Sequence, residues 1–236
     1  MRAVGRLLGG LAVLLSSGAS LSGETAVDWH AIMTEAAWDW QPGDLIFRNG
    51  LNSIDEVIRS AEDADWASIG IVRPSTGGPR VVYVDETSGV TETMLDAFIA
   101  DVGETDYAVY RVKDVTPELL DGQHIQGPIA SYTLFVAYGA PYDTLFRFGN
   151  GRYYNAELVF EASLNAGVVL GQPRPINALA SPESALGQLL LKDWAENPYC
   201  VATTSTEQCW EMISDAFIVT PASIIASDKL ERVFLN

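Results

Sequence analysis

Between residues 68 and 112 the chain alternates short β-branched and aromatic runs with turn formers, and outside that stretch apolar residues recur at helical spacing. The runs 68–72, 81–85, 90–93 and 107–112 read as strands, cut apart by Pro74-Ser75-Thr76-Gly77-Gly78-Pro79 and by Ser88-Gly89. This middle reads as an antiparallel sheet. Ahead of it, Trp29, Ile32, Met33, Ala36 and Ala37 predict a helix over 28–38. The turn Gln41-Pro42-Gly43-Asp44 then opens a strand at 45–47, and a helix follows near 53–61. Behind the sheet, Thr116 as a cap with Pro117 in the first turn predicts a helix. A second spans 155–166 and stops at Gly167, and a third starts at Ser181-Pro182-Glu183 and ends before Asn197-Pro198. A last strand near 232–235 rejoins the sheet. A strand-rich centre with helices on both sides predicts an α+β fold. No repeat, low-complexity block or long linker divides the chain, so residues 23–236 are expected to form one domain.

Residues 1–22 read as an export signal. Arg2 and Arg6 form a positive head, residues 7–15 are apolar, and small residues such as Ser17-Gly18-Ala19 or Ser20-Leu21-Ser22 offer cleavage positions between 19 and 23. The apolar run is far shorter than the roughly 20 residues a membrane span needs, and no cysteine stands near the cut to take a lipid. The expected location is periplasmic or secreted, with no transmembrane anchor left after cleavage. The chain holds 14 Lys and Arg against 31 Asp and Glu, a net charge of -17. Losing Arg2 and Arg6 takes this to roughly -19, a field that repels phosphate, so nucleic acid is not an expected partner.

The two cysteines, Cys200 and Cys209, flank Thr203-Thr204-Ser205-Thr206, and an even count in an exported chain predicts a disulfide. Such a small loop would stabilise the fold by roughly 2 to 3 kcal/mol. A reactive thiol is the alternative, but no base stands near in sequence. Two cysteines with the distant His30 and His124 give no metal-ligand spacing, and no cofactor is expected. Both histidines read as surface residues. Residues 181–210 read as a helical elaboration closed by that disulfide.

Four ordered segments carry a resemblance: Gln41-Pro42-Gly43-Asp44-Leu45-Ile46-Phe47; Ala67-Ser68-Ile69-Gly70-Ile71-Val72; Tyr83-Val84-Asp85-Glu86 with Gly89-Val90; and Gly139-Ala140-Pro141-Tyr142-Asp143 leading to Tyr154-Asn155-Ala156-Glu157-Leu158-Val159. Together they resemble the permuted papain-like cysteine hydrolases of the NlpC superfamily, in the YiiX/YebB-like branch, over about residues 40–235. That resemblance implies a permuted papain-like fold. It also implies a histidine on the Ser-His-x-Gly strand, a polar residue on the next strand, and a cysteine opening the helix that reads Tyr-Cys-Ser-Glu-Leu-Val. A helix N-terminus stabilises a thiolate and an imidazole shuttles its proton, which suits cleavage of amide or ester bonds, as in cell-wall peptides.

Mapped onto this chain, the histidine position falls on Ser68, the cysteine position on Asn155, and the orienting polar position near Glu86. A carboxamide nitrogen is no useful nucleophile, and a hydroxyl needs a base. The resemblance therefore implies a degenerate site at Ser68, Glu86 and Asn155, and an inactive pseudoenzyme that binds a peptide, an acyl group, an envelope component or a protein partner. Tyr142, Asp143 and Tyr154 join those three as candidate ligand contacts. The tyrosines read more readily as core, and Asp143 equally as a turn cap. Two alternatives stand: an active hydrolase pairing Ser68 with Glu86, and an envelope assembly protein acting through the Cys200–Cys209 loop.

Overall fold

The computed structural model describes residues 38–103, 106–115, 119–120, 123–124 and 126–235. The leader, His30, most of the helix expected at 28–38 and the cap at Thr116 lie outside the described residues. A strand β1 (Leu45–Arg48) leads to helix α1 (Ser53–Glu62), then β2 (Ser68–Arg73), β3 (Arg80–Asp85), β4 (Gly89–Met94), a short helix α2 (Leu95–Ile99) and β5 (Tyr107–Val112). Two-residue strands β6 (Leu119–Leu120) and β7 (Gln123–His124) pair with each other. His124 thus sits in a small ladder and not in the helix expected from Thr116. Helix α3 (Gly127–Tyr132) continues into a π-turn at Thr133–Ala137, and α4 (Asn155–Asn165) follows. The remainder holds β8 (Arg174–Pro175), α5 (Ala185–Leu191), α6 (Thr206–Ile213), β9 (Phe217–Ile218), α7 (Pro221–Ile225) and β10 (Leu230–Leu235).

Six strands form one sheet in the order β10-β5-β1-β2-β3-β4, each pair antiparallel. The fold is α+β, as the strand-rich centre predicted. Side chains alternate across this sheet because successive Cβ atoms point to opposite faces. Leu45, Phe47, Ile69, Ile71, Val82 and Val84 face α3 and α4, while Ile46, Val72, Val81 and Val109 pack with Trp38, Trp40 and Phe98 on the other side. Helix α4 is buried along most of its length, including Ala156, Leu158, Val159 and Ala162. Each of Leu158 and Val159 contributes roughly 1.5 to 3 kcal/mol by leaving water. That burial fixes the helix against the sheet and aims its first residue at the strands.

The helix expected from Ser181 begins later, at Ala185, because the Ser184 hydroxyl accepts from the Gly187 amide and caps it there. It is also shorter than expected, and a separate one-turn helix at Trp194–Glu196 completes the stretch. Cys200 and Cys209 are joined in a disulfide, packed with Ile213 against Leu190, Leu191, Trp194 and Trp210. Among the described residues no helix is long and apolar enough to cross a membrane.

Candidate functional site

The ladder between β2 and β3 pairs Arg73 with Arg80, Val72 with Val81 and Ile71 with Val82, and goes no further. In an unbroken ladder Val84 would next face Ile69. Instead the strands part, and polar side chains fill the gap. Asn155, the first residue of α4, presents its amide to Val84 as a strand would: Oδ1 accepts from the Val84 N–H at 2.7 Å, and Nδ2 donates to the Val84 carbonyl at 3.0 Å. The Asn52 Nδ2, just ahead of α1, donates to the same carbonyl at 2.7 Å. A buried peptide group left unpaired costs about 1 to 3 kcal/mol, so these contacts explain why the gap is polar.

At the centre lies Asp55, on the inner face of α1. Its Oδ2 accepts from the Ser68 hydroxyl at 2.6 Å, from Asn155 Nδ2 at 2.6 Å and from Asn52 Nδ2 at 2.9 Å. The Tyr142 hydroxyl makes a long contact with Oδ1 at 3.5 Å. Ser68, Asn155 and Asp55 are 0, 1 and 2 % exposed, so the cluster is sealed from solvent. Burial pushes the Asp55 carboxyl up to about 6, against the three hydrogen bonds that favour its charged form, and the nearby Glu86 charge adds to the rise. Sequence reasoning passed over Asp55. The available signal was an acidic residue at the third position of α1, one turn below the apolar Ile58 on the face turned to the core.

Ser68 and Asn155 therefore converge, as their mapped roles required, but Glu86 does not join them. Its carboxylate accepts from the Ile54 amide at 2.7 Å and from the Ser53 hydroxyl at 3.0 and 3.1 Å, so it caps the start of α1. It touches Asn52 only through its own backbone N–H, which donates to Asn52 Oδ1 at 3.2 Å. Among the described residues the base in contact with Ser68 is Asp55.

The other candidate contacts are engaged in holding the fold. Asp143 is buried and its carboxylate accepts from the Leu145 and Arg147 amides at 2.9 and 2.7 Å, the turn-capping role. The Tyr154 hydroxyl accepts from the Val219 N–H at 2.9 Å, and its ring meets Phe146 edge-on at 4.9 Å. Tyr142 pairs through its backbone with Tyr153, the chain approach that delivers α4 to the sheet.

In the first turn of α4, Glu157 is buried, and among the described residues its carboxyl meets no donor closer than a weak approach to the Tyr154 amide. Burial, then the charges of Asp143 and Glu161, push it up to about 9, so it is a neutral acid at pH 7. The Tyr154 amide, where a helix-opening carboxylate can fold back, opposes the shift only weakly.

Among the described residues no group of three or more His, Cys, Asp or Glu is placed to hold a metal ion. At the cluster itself the donors are one carboxylate, two carboxamides and two hydroxyls, a set that does not fit the imidazole and thiolate sites of transition metals.

Comparison with known proteins bears on this geometry. The profile of the family described as permuted papain-like amidase enzyme, YaeF/YiiX, C92 family, matches residues 39–234. The uncharacterized protein YiiX of Escherichia coli strain K12 is 30% identical over 151 residues, spanning 62% of this chain and 70% of that one. A crystal structure of YiiX from Escherichia coli O157:H7, described as a metalloprotein, superposes with a TM-score of 0.64. It is 24% identical and covers 84% of this chain and 99% of its own, which is a likeness of fold.

Proposed function

This chain belongs to the permuted papain-like amidase family of YaeF and YiiX, and from that premise we propose that it is an exported, inactive member whose inherited centre has become a structural lock. In this reading the fold is retained to bind a peptide, acyl or envelope-derived ligand, or a protein partner. The observation that carries it is the use of Asn155: both polar atoms of its side chain are spent on Val84 and Asp55 inside a sealed cluster. A carboxamide bonded on all sides neither attacks a carbonyl nor opens a path to one. Cys and His are the residues the chemistry needs at those two positions, and in a well-studied serine protease loss of the nucleophile or the base alone costs around a million-fold in turnover.

The test is an assay of the purified protein on peptidoglycan fragments and acyl esters. Hydrolysis that disappears in Asn155→Ala would overturn the reading. A paired gain-of-function variant, Ser68→His with Asn155→Cys, should recover measurable turnover if the old substrate path still opens. Export is tested by fractionation together with N-terminal sequencing of the mature protein, where a start between residues 19 and 23 is expected.

A second reading draws on the 2.6 Å contact between the Ser68 hydroxyl and Asp55. A carboxylate lifted to about 6 is nearer to a useful general base than an ordinary aspartate. Ester hydrolysis by Ser68 would then rest on Asp55, with Glu86 held at its cap. Labelling by a fluorophosphonate probe, lost in Ser68→Ala, supports this second reading, and absence of labelling removes it.

A further inference from the structure

A cavity of about 710 Å³ opens on a different part of the molecule, where the end of α1, the segment leading into β8 and the turn after α7 meet. That volume lies within the range of small-molecule sites, roughly 300 to 1,000 Å³. It adjoins residues that follow the C-terminal end of α4, while the sealed cluster sits at the N-terminal end of that helix. Eleven residues of helix separate the two by about 16 Å. An occupant of the cavity would not touch Asn155.

The walls are held in place before any ligand arrives. Gly171 has φ of +79°, and a Cβ there would stand 3.0 Å from Ile224, Ser223 and Val219, so the segment lies directly on α7. Arg174 is fixed by the pairing of β8 with β9.

Charge placement then specifies the ligand. Glu62, the last residue of α1, forms an ion pair with Arg174 through one oxygen. Its side chain is only 6 % exposed, and its other oxygen, Oε2, is buried without a hydrogen-bond partner among the described residues. That oxygen has no open surface, so an occupant acts on Glu62 through charge: a cation held in the cavity stabilises a desolvated carboxylate. The Arg174 side chain is 45 % exposed, so part of its guanidinium fork remains open to a carboxylate. Asp228 lines the same cavity and is exposed. A simple anion would meet Glu62, Asp228 and a chain of net charge -17, whereas a simple cation would leave the arginine fork unanswered.

We propose that this cavity binds a small zwitterion, an α-amino acid or a short peptide with free ends, its ammonium toward Glu62 and Asp228 and its carboxylate on Arg174. The site stands whether or not the inherited centre hydrolyses anything, so its failure and the failure of the pseudoenzyme reading are separate results. The test titrates L-alanyl-L-alanine into the isotope-labelled protein and follows the amides of Gly171 and Ser227 by NMR. Saturable shifts are expected, weakened roughly tenfold or more when the peptide is N-acetylated or C-amidated. Arg174→Gln should erase the preference for a free carboxylate. Ala226→Phe, at an exposed position on the cavity wall, should block binding while leaving the melting temperature unchanged. No saturable shift, shifts indifferent to both caps, or full binding in a folded Ala226→Phe protein would each overturn the proposal.

Discussion

Asp55→Asn should make the protein more stable at neutral pH, although it removes the acceptor on which the sealed cluster converges. The carboxyl titrates near 6 in the fold against 3.8 in the unfolded chain, so the fold prefers its neutral form. A raised value of this kind contributes stability that is fully present below 3.8 and is lost as pH rises through 6. At pH 7 the wild-type fold has given up about 3 kcal/mol, at pH 4 only about 0.5 kcal/mol. Asparagine reproduces the neutral acid. Its Oδ1 accepts from Ser68, Asn155 and Asn52, and its Nδ2 takes the place facing the Tyr142 hydroxyl. The variant should therefore gain up to about 3 kcal/mol at pH 7, with the gain shrinking towards zero at pH 4. Asp55→Ala strips the acceptor from three buried donors and should lose roughly 1 to 3 kcal/mol or more at both pH values. Urea denaturation followed by tryptophan fluorescence, at both pH values for all three proteins, measures the set. Every other titrating group cancels in the differences. If Asp55→Asn is as damaging as Asp55→Ala at pH 7, or its effect does not change with pH, the reasoning fails.

The other predictions concern separate parts of the fold. Glu157→Gln should also stabilise at neutral pH: the acid is neutral in the fold up to about 9 but ionised above 4.5 when unfolded, so folding at pH 7 takes up a proton at a cost of about 3 kcal/mol. That gain should fade as pH falls to 4.5 in the same denaturation series. Replacing Cys200 and Cys209 together by serine should lower stability by roughly 2 to 3 kcal/mol, read as a drop in the urea midpoint, because their disulfide closes a loop with a sequence separation of 9. Gly89→Ala should cost about 3 kcal/mol or more, since φ is +72° and the new Cβ would stand 2.1 Å from the Ala140 carbonyl oxygen. Wild-type-like thermal unfolding of that variant would contradict the close approach of β4 to the chain before α4.

The sheet was legible because its signals are local. Alternating Val, Ile and Tyr residues between Pro and Gly turns placed β2 to β5 to within about a residue, and Gly167 marked the end of α4. Elements that depend on partners distant in sequence were not. Residues 119–120 and 123–124 pair as two short strands where a cap and a proline suggested a helix. Glu86 occupies a plausible position in the order of motifs, yet its carboxylate answers the open amide of Ile54, a pairing 32 residues apart that no local pattern encodes. Asp55 was hidden for the same reason: an acidic residue in the first turn of a helix is usually a solvated partner of the helix dipole. Only the return of α4, a hundred residues later, turns it into the centre of a buried cluster.

That cluster also explains why asparagine suits its position. With β2 and β3 parted beyond Ile71 and Val82, the N–H and C=O of Val84 face the tip of α4 and need both an acceptor and a donor. Alanine at position 155 would leave the Val84 N–H unpaired while its carbonyl kept only the Asn52 bond, and a thiol is a poor partner for either group. A carboxamide carries the two functions of a peptide group on a short arm, so Asn155 acts as one more strand residue inserted from a helix. The same side chain then donates to Asp55, tying α1, β3 and α4 together at one point. On the inactive-member reading proposed above, a helix tip suited to a nucleophile serves instead, with this one residue type, as a cross-brace. The access a hydrolase needs and the closure a brace needs are opposed at this position, so the hydrogen bonds that hold the elements together also withhold Ser68 and Asp55 from solvent.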